Sequence, residues 1–261
     1  IGNQAYLQKQ NDVWGCVILG LTQAFFDKRL TRPGTHDDFY RLEVFGESAV
    51  RNWDKPDAGI WEFRTIGRVH TFSAVMCWVA CDRLAKIAEQ LKLLERTVYW
   101  REQADKMYEG IMARAWNEEK QTFVEPFDGE HLDASLLLLH EVGFVDAKDP
   151  KFIKTVEAIE RELVNDGLLY RHVYEDDTGK PEVAFTVCTF WYIDALAAIG
   201  RVEEARDKFE WMLAKRNHVG LLSEDLDFKT GELWGNFPQT YSMVGLINSA
   251  MRLSKTWHEA L

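Results

Sequence analysis

Apolar residues are spread along this chain in two alternating ways. Some stretches are apolar on nearly every side, and others carry a single apolar stripe. Residues 4–29 open with polar Gln8, Gln10, Asn11 and Asp12, then run Val13-Trp14-Gly15-Cys16-Val17-Ile18-Leu19-Gly20-Leu21. A helix apolar all round is an inner, buried helix. Thr31 to Asp37, with Pro33-Gly34, supplies a turn. Residues 38–53 predict an amphipathic helix with Phe39, Leu42, Phe45 and Ala49 on one face. Pro56 to Arg68 reads as a loop. Residues 69–92 predict a second inner helix and 95–116 an amphipathic one. Lys120 to Val124 suggests a short turn or strand, and 132–142 a third inner helix with leucines at 136–139. Residues 150–164 are amphipathic, 166–182 form a polar, aromatic loop, and 183–199 a fourth inner helix. An amphipathic helix over 202–216, a long loop over 220–238 and a fifth inner helix over 239–253 complete the pattern.

The order is inner, outer, inner, outer over about nine helices, with almost no strand signal. It describes a ring of helical hairpins, an all-α α/α toroid with its long polar loops gathered at one end. The repetition lies in pattern only, since no close sequence repeat accompanies it. Six hairpins close such a ring with about twelve helices, so about three are expected to be missing. The chain also begins at Ile1 with what reads as mid-domain sequence. The expectation is therefore a single, partial barrel domain over residues 1–261, without its N-terminal part. An open barrel would expose apolar inner-helix surface, which favours self-association or pairing with the missing part.

Composition narrows the chemistry. A chain of 261 residues that is 46% hydrophobic buries a large core in one domain or two. A net charge of -11 argues against nucleic acid and anionic membrane surfaces as partners. No apolar run approaches the ~18 residues needed to span a bilayer, and no signal peptide is visible. Cys16, Cys77, Cys81 and Cys188 lie in apolar runs. They read as buried free thiols in a reducing compartment, which implies a cytoplasmic protein. A metal site from Cys77, Cys81 and His70 is the alternative. Ten tryptophans either fill a large helical core or stack on a sugar or aromatic ligand.

The densest chemistry lies in Asp57-Ala58-Gly59-Ile60-Trp61-Glu62-Phe63-Arg64. A carboxyl beside an indole at the mouth of a helix sits where burial favours the protonated, proton-donating form. Five loops should converge on that end of the ring. The first offers Gln10, Asp12 and Trp14, and the second Asp57, Trp61, Glu62 and Arg64. The third offers Asp128, Glu130, His131 and Asp133, and the fourth Tyr170, Arg171, Glu182 and Phe185. The fifth offers Ser223, Glu224, Asp225, Asp227, Trp234 and Asn236. Acids, indoles and arginines at a barrel mouth suit a carbohydrate. Cleaving a glycosidic bond takes two carboxyl groups, one to protonate the leaving oxygen and one to activate water or attack directly. Glu62 is the candidate acid and Glu224 the candidate base. Plainer roles stand beside these. Ser223-Glu224-Asp225 could cap a turn, Asp12 and Asp133 could cap the helices that follow them, and Arg83 could pair locally with Asp82. Asp176-Asp177-Thr178-Gly179 and Asp227-Phe228-Lys229-Thr230-Gly231 read as ordinary turns. There is no Gly-rich phosphate loop, no Gly-x-Ser-x-Gly and no His-Glu-x-x-His.

Five motifs in order resemble glycoside hydrolase family fifteen, the glucoamylases and their trehalose-cleaving bacterial relatives. They are Gln10-Asn11-Asp12-Val13-Trp14-Gly15, Pro56-Asp57-Ala58-Gly59-Ile60-Trp61-Glu62, Trp78-Val79-Ala80-Cys81-Asp82-Arg83, Leu132-Asp133-Ala134-Ser135-Leu136, and Leu221-Leu222-Ser223-Glu224 with Thr230 to Gln239. The resemblance implies a six-hairpin α/α barrel and hydrolysis of an α-linked gluco-saccharide with inversion, needing no metal or organic cofactor. It assigns Glu62 as general acid and Glu224 as general base. It places Asp12 and Trp14 on the sugar and, more loosely, Arg171 and Glu182; Trp61, Arg64, Asp133 and Trp234 complete the expected sugar-binding set. Inversion would set the two carboxyl groups ~6.5–9.5 Å apart. The family's early aromatic, arginine- and aspartate-rich motif has no match here, nor does the N-terminal β-sandwich of bacterial members. Met243 stands where relatives often carry histidine. Without that motif the terminal-sugar pocket would lack a wall, so residues 1–261 alone are expected to be inactive, and a non-catalytic scaffold or sugar-binding remnant is the alternative. A polysaccharide lyase on the same toroid would be expected to use a Tyr, His or Arg base, against the paired glutamates.

Overall fold

The computed structural model describes residues 4–177 and 179–254. Its contacts divide the chain into two compact units, Ile1–Asn117 with Val124–Glu130, and Glu118–Phe123 with His131–Leu261. Among the described residues the regular structure is helical, apart from strands two residues long.

Among the described residues the first unit holds four α-helices. They are α1 (Asp12–Phe26), α2 (His36–Asn52), α3 (Thr71–Gln90) and α4 (Leu94–Ala115). Helix α3 is the core: sixteen of its 20 residues are buried, because α1, α2 and α4 all pack on it. Gly15 lets α1 come that close, since a side chain there would begin 2.0 Å from the Met76 carbonyl oxygen. Helix α2 starts on a capping box, with Thr35 Oγ1 and the Asp38 carboxylate each satisfying the other's backbone N–H. On α4, Trp100 is fully buried and donates its indole N–H to Glu43 at 2.7 Å. Asp82 on α3 binds Arg83, Lys86 and Arg101, so the expected Arg83 pair is one of three.

Helix α1 departs from its expected burial. It buries one stripe only, Gly15, Ile18, Thr22 and Phe25, and leaves Val13, Cys16 and Leu21 exposed. An all-apolar helix can be buried all round but is buried only where neighbours stand, and α2 and α3 cover a single face. Cys16 is thus not the buried thiol expected, whereas Cys77, Cys81 and Cys188 are buried. All four are free. The Cys77 thiol donates to the Asn11 carbonyl at 3.3 Å. Among the described residues, no group of three or more His, Cys, Asp or Glu side chains is arranged to hold a metal ion.

The second unit holds α5 (Pro150–Leu163), α6 (Thr186–Ile199), α7 (Val202–Leu213) and α8 (Thr240–Leu253). Helix α6 is the core helix here, and α5, α7 and α8 pack against it. The third inner helix expected over 132–142 is instead a six-residue 3-10 helix, Ala134–Leu139. Asp133 starts it by accepting from the Ser135 N–H and hydroxyl, a local bond that competes with a longer α-helix. Helix α8 buries Ser242, Gly245, Ser249 and Leu253 and exposes Tyr241, Val244, Ile247 and Met251, so it too is covered on one side. Short antiparallel strands stiffen the loops. Val164–Asn165 pairs with Leu168–Leu169, and Asp225–Leu226 lies between Ala184–Phe185 and Leu233–Trp234. Among the described residues no helix is long and apolar enough to cross a membrane.

Candidate active site

The candidate residues fall into the two units, five in each. Glu62, Asp12, Trp14, Trp61 and Arg64 lie in the first, and Glu224, Asp133, Arg171, Glu182 and Trp234 in the second.

In the first unit, Glu62 sits on a tight turn. The Phe63 N–H donates to the Ala58 carbonyl at 2.9 Å, and the Glu62 N–H to Gly59 at 3.2 Å. Gly59 takes φ +64° and Glu62 φ +58°. Gly59 has no substitute, because a side chain there would begin 2.9 Å from the His70 ring. The segment before α1 holds the turn from outside. The Gln8 amide donates to the Glu62 carbonyl at 2.8 Å, and the Ala58 N–H donates to the Lys9 carbonyl at 2.8 Å. The turn rests on the His70 ring, which stacks with Phe63 and bonds Glu125 through Nδ1 at 2.6 Å. The Glu62 side chain is exposed, not sheltered as its indole neighbour suggested. Trp61 is half-buried, and Arg64 is exposed at the edge of a cavity of about 320 Å³ lined also by Gln8, Asp57 and Phe63.

Asp57 is the hub of this unit, a role its place in a loop did not signal. It is 4% exposed, and its Oδ2 accepts from the Asn11 N–H at 2.7 Å and the Ser73 hydroxyl at 2.8 Å. It thereby ties the starts of α1 and α3 to the turn. Burial raises its pKa despite those donors. Asp12 follows at the start of α1 and makes no capping bond, the cap position being Asn11. Burial, and then the charge of Asp57, push the Asp12 carboxyl up to about 6. Its buried Oδ1 and the buried Trp14 indole N–H have no hydrogen-bond partner among the described residues. Buried polar atoms with unspent capacity are the kind that ligand hydroxyls satisfy.

In the second unit, Glu224 lies just before the three-stranded sheet. Its Oε2 accepts from the Asn236 N–H at 3.0 Å and the Asn236 side-chain amide at 2.9 Å, and its own N–H donates back to the Asn236 carbonyl at 2.9 Å. Two donors on one oxygen, Oε2, fix the carboxylate. Arg171 and Glu182 line a cavity of about 440 Å³ together with Lys180, Phe185 and Asp225. Arg171 is steadied by Asp176 at 2.8 Å. Asp133 is fully buried in its capping role, and Trp234 is exposed with its indole N–H on Glu232 at 3.3 Å.

The profile of glycosyl hydrolases family 15 matches residues 1–251. A trehalase of Thermoplasma acidophilum is 35% identical over 261 residues, covering 98% of this chain and 44% of that relative. A trehalase of Mycobacterium tuberculosis is 36% identical over 264 residues, covering 100% of this chain and 38% of the relative. The chain thus spans less than half the length of these relatives. Among solved structures, a wild-type glycosidase matches with a TM-score of 0.77 at 17% identity, over 95% of this chain and 68% of that one. A glucoamylase from Saccharomycopsis fibuligera matches at 0.74 and 14% identity, over 94% and 70%. At such identities the likeness carries the fold, the α/α-toroid class expected from the helix pattern.

Proposed function

This chain belongs to glycosyl hydrolases family 15, and from that premise we propose that the protein is an inverting glycoside hydrolase that frees glucose from an α-linked gluco-saccharide. The trehalase relatives make trehalose the first substrate to test. Glu62 is the general acid, exposed on its turn and able to reach a glycosidic oxygen. Glu224 is the general base: Asn236 holds one oxygen, and the other takes a proton from the attacking water. That clamp is the observation that carries the reading. Asp12 and Trp14 spend their free hydrogen-bonding capacity on sugar hydroxyls, and Arg171 and Glu182 grip the sugar from the second unit's cavity. Asp133 holds its loop in place. Trp61, Arg64 and Trp234 complete the sugar contacts, and residues 1–261 form part of a single catalytic barrel domain. Free thiols support a reducing, cytoplasmic setting.

The test is proton NMR of fresh product from trehalose, with maltose, isomaltose and starch beside it. Inversion at one carbon of trehalose gives α- and β-glucose in equal initial amounts; retention gives α-glucose alone. Glu62→Gln and Glu224→Gln should each slow turnover by about 10²-fold or more with the fold intact. Retention would refute inversion, and near-wild-type turnover in either variant would refute that residue's role.

A further inference from the structure

Asp225 has no part in the mechanism above, yet its position couples it to Glu224. Consecutive side chains on a strand leave on opposite faces. Here the two carboxylates nevertheless flank one point. A side chain at Gly235 would begin 2.8 Å from Glu224 Oε2 and 2.9 Å from Asp225 Oδ2. The two oxygens therefore lie within about 6 Å of each other, a range over which like charges oppose one another's ionisation. Gly235, at φ +76°, keeps that space empty of any side chain. Both carboxylates are held in place. Asn236 fixes Glu224, and the Asp225 backbone is paired with Phe185 on one side and Trp234 on the other.

We propose that Asp225 is a positioning residue for the base, setting by its own charge the electrostatic surroundings in which Glu224 takes its proton from water. The proposal rests on Glu224 being the base. The charged and titratable groups around Asp225 are Glu224 beside it, Arg171, Lys180 and Glu182 around the shared cavity, Cys188 on α6, and Glu232 at the end of the neighbouring strand. Burial, then the charge of Glu224, push Asp225 up to about 6, with Arg171 pulling the other way. Below that pH Asp225 is neutral. Above it, a second negative charge stands beside Glu224. That charge favours the positively charged, oxocarbenium-like transition state formed beside Glu224. Hydrolysis therefore rises as Asp225 ionises.

The first experiment is a carbon-13 NMR titration of the Asp225 carboxyl in the protein. Its midpoint should fall in Glu224→Gln, which removes the opposing charge, and rise in Arg171→Gln. The second is the pH dependence of trehalose hydrolysis. The wild type should show a rising limb near pH ~6 that Asp225→Asn lacks. A residue with a merely structural role would lower the rate equally at every pH. An Asp225 midpoint that stays put in Glu224→Gln overturns the charge pair. A rising limb retained by Asp225→Asn overturns its role in the reaction. If Glu224→Gln hydrolyses as fast as the wild type, the base assignment falls and this proposal with it, even where the NMR coupling persists.

Discussion

Asp194→Asn should make the protein more stable at neutral pH and leave it nearly unchanged in acid. Asp194 lies on α6, 8% exposed, and accepts from the Ser249 hydroxyl of α8 at 2.7 Å. Arg252 stands 3.7 Å away and is itself bound to Glu141. Burial outweighs these partners and raises the carboxyl from 3.8 to about 6. Each tenfold change in proton affinity is worth about 1.4 kcal/mol, so that rise corresponds to about 3 kcal/mol. The sign follows from linkage. The folded protein holds this proton more tightly than the unfolded chain, so the group's stabilisation is complete below pH ~4 and is lost as pH climbs through ~6. Asparagine mimics the protonated form, keeps an oxygen for Ser249 and has nothing to ionise. The weakened Arg252 contact offsets at most about 1 kcal/mol. Urea unfolding followed by tryptophan fluorescence should find the two proteins within about 1 kcal/mol of each other near pH ~4, and the variant ahead by about 2–3 kcal/mol near pH ~7. A difference that does not change with pH would refute the reasoning, as would a wild type that is the more stable at pH ~7.

Two further substitutions test how the candidate carboxylates are held. Gly59→Ala forces a methyl-bearing residue to φ +64° and against a His70 ring already fixed by Glu125. The loss should be about 2–4 kcal/mol, seen by calorimetry as a lower melting temperature, and an unchanged melting temperature would contradict the packing of the turn. Asn236→Ala removes one of two donors to Glu224 Oε2. The turnover number should fall about tenfold with KM little changed, and Asn236→Asp should fall further because its carboxylate cannot donate to Oε2 and pushes that oxygen out of its place. Wild-type turnover in both variants would show that the clamp does not serve the reaction.

The helix pattern was legible because period and side-chain character are local properties. Among the described residues, seven of the eight α-helices begin within a few residues of an expected segment, and α1 starts at Asp12 inside the longer stretch read from residue 4. What the pattern could not convey was which faces are covered. Helix α1 and helix α8 are apolar enough to lie inside, and α3 and α6 do lie there, but burial depends on how many neighbours pack on each helix. The leucine run at 136–139 misled for a different reason. Consecutive leucines have no period, so they fit a 3-10 helix as well as an α-helix, and the Asp133–Ser135 bond decides between them.

The site divides along the same line. Motifs named Glu62 and Glu224, and also held Asp57 and Asn236, but not the bonds that these make. Asp57 reaches Asn11, 46 positions earlier, and no spacing rule reveals a bond of that span. The partner of Glu224 is closer at hand, and an ordinary turn delivers it. Asp227 gathers the Lys229 and Thr230 N–H groups, and the Gly231 N–H closes back on its carbonyl at 2.9 Å. That reversal pairs Asp225–Leu226 with Leu233–Trp234. The same register carries Asn236 opposite Glu224, where N–H and carbonyl meet at 2.9 Å and the amide reaches the carboxylate. The turn at 227–231 sets this register. It fixes the distance between the candidate base and the residue that aims it, so lengthening that turn by one residue would disarm Glu224 without touching it.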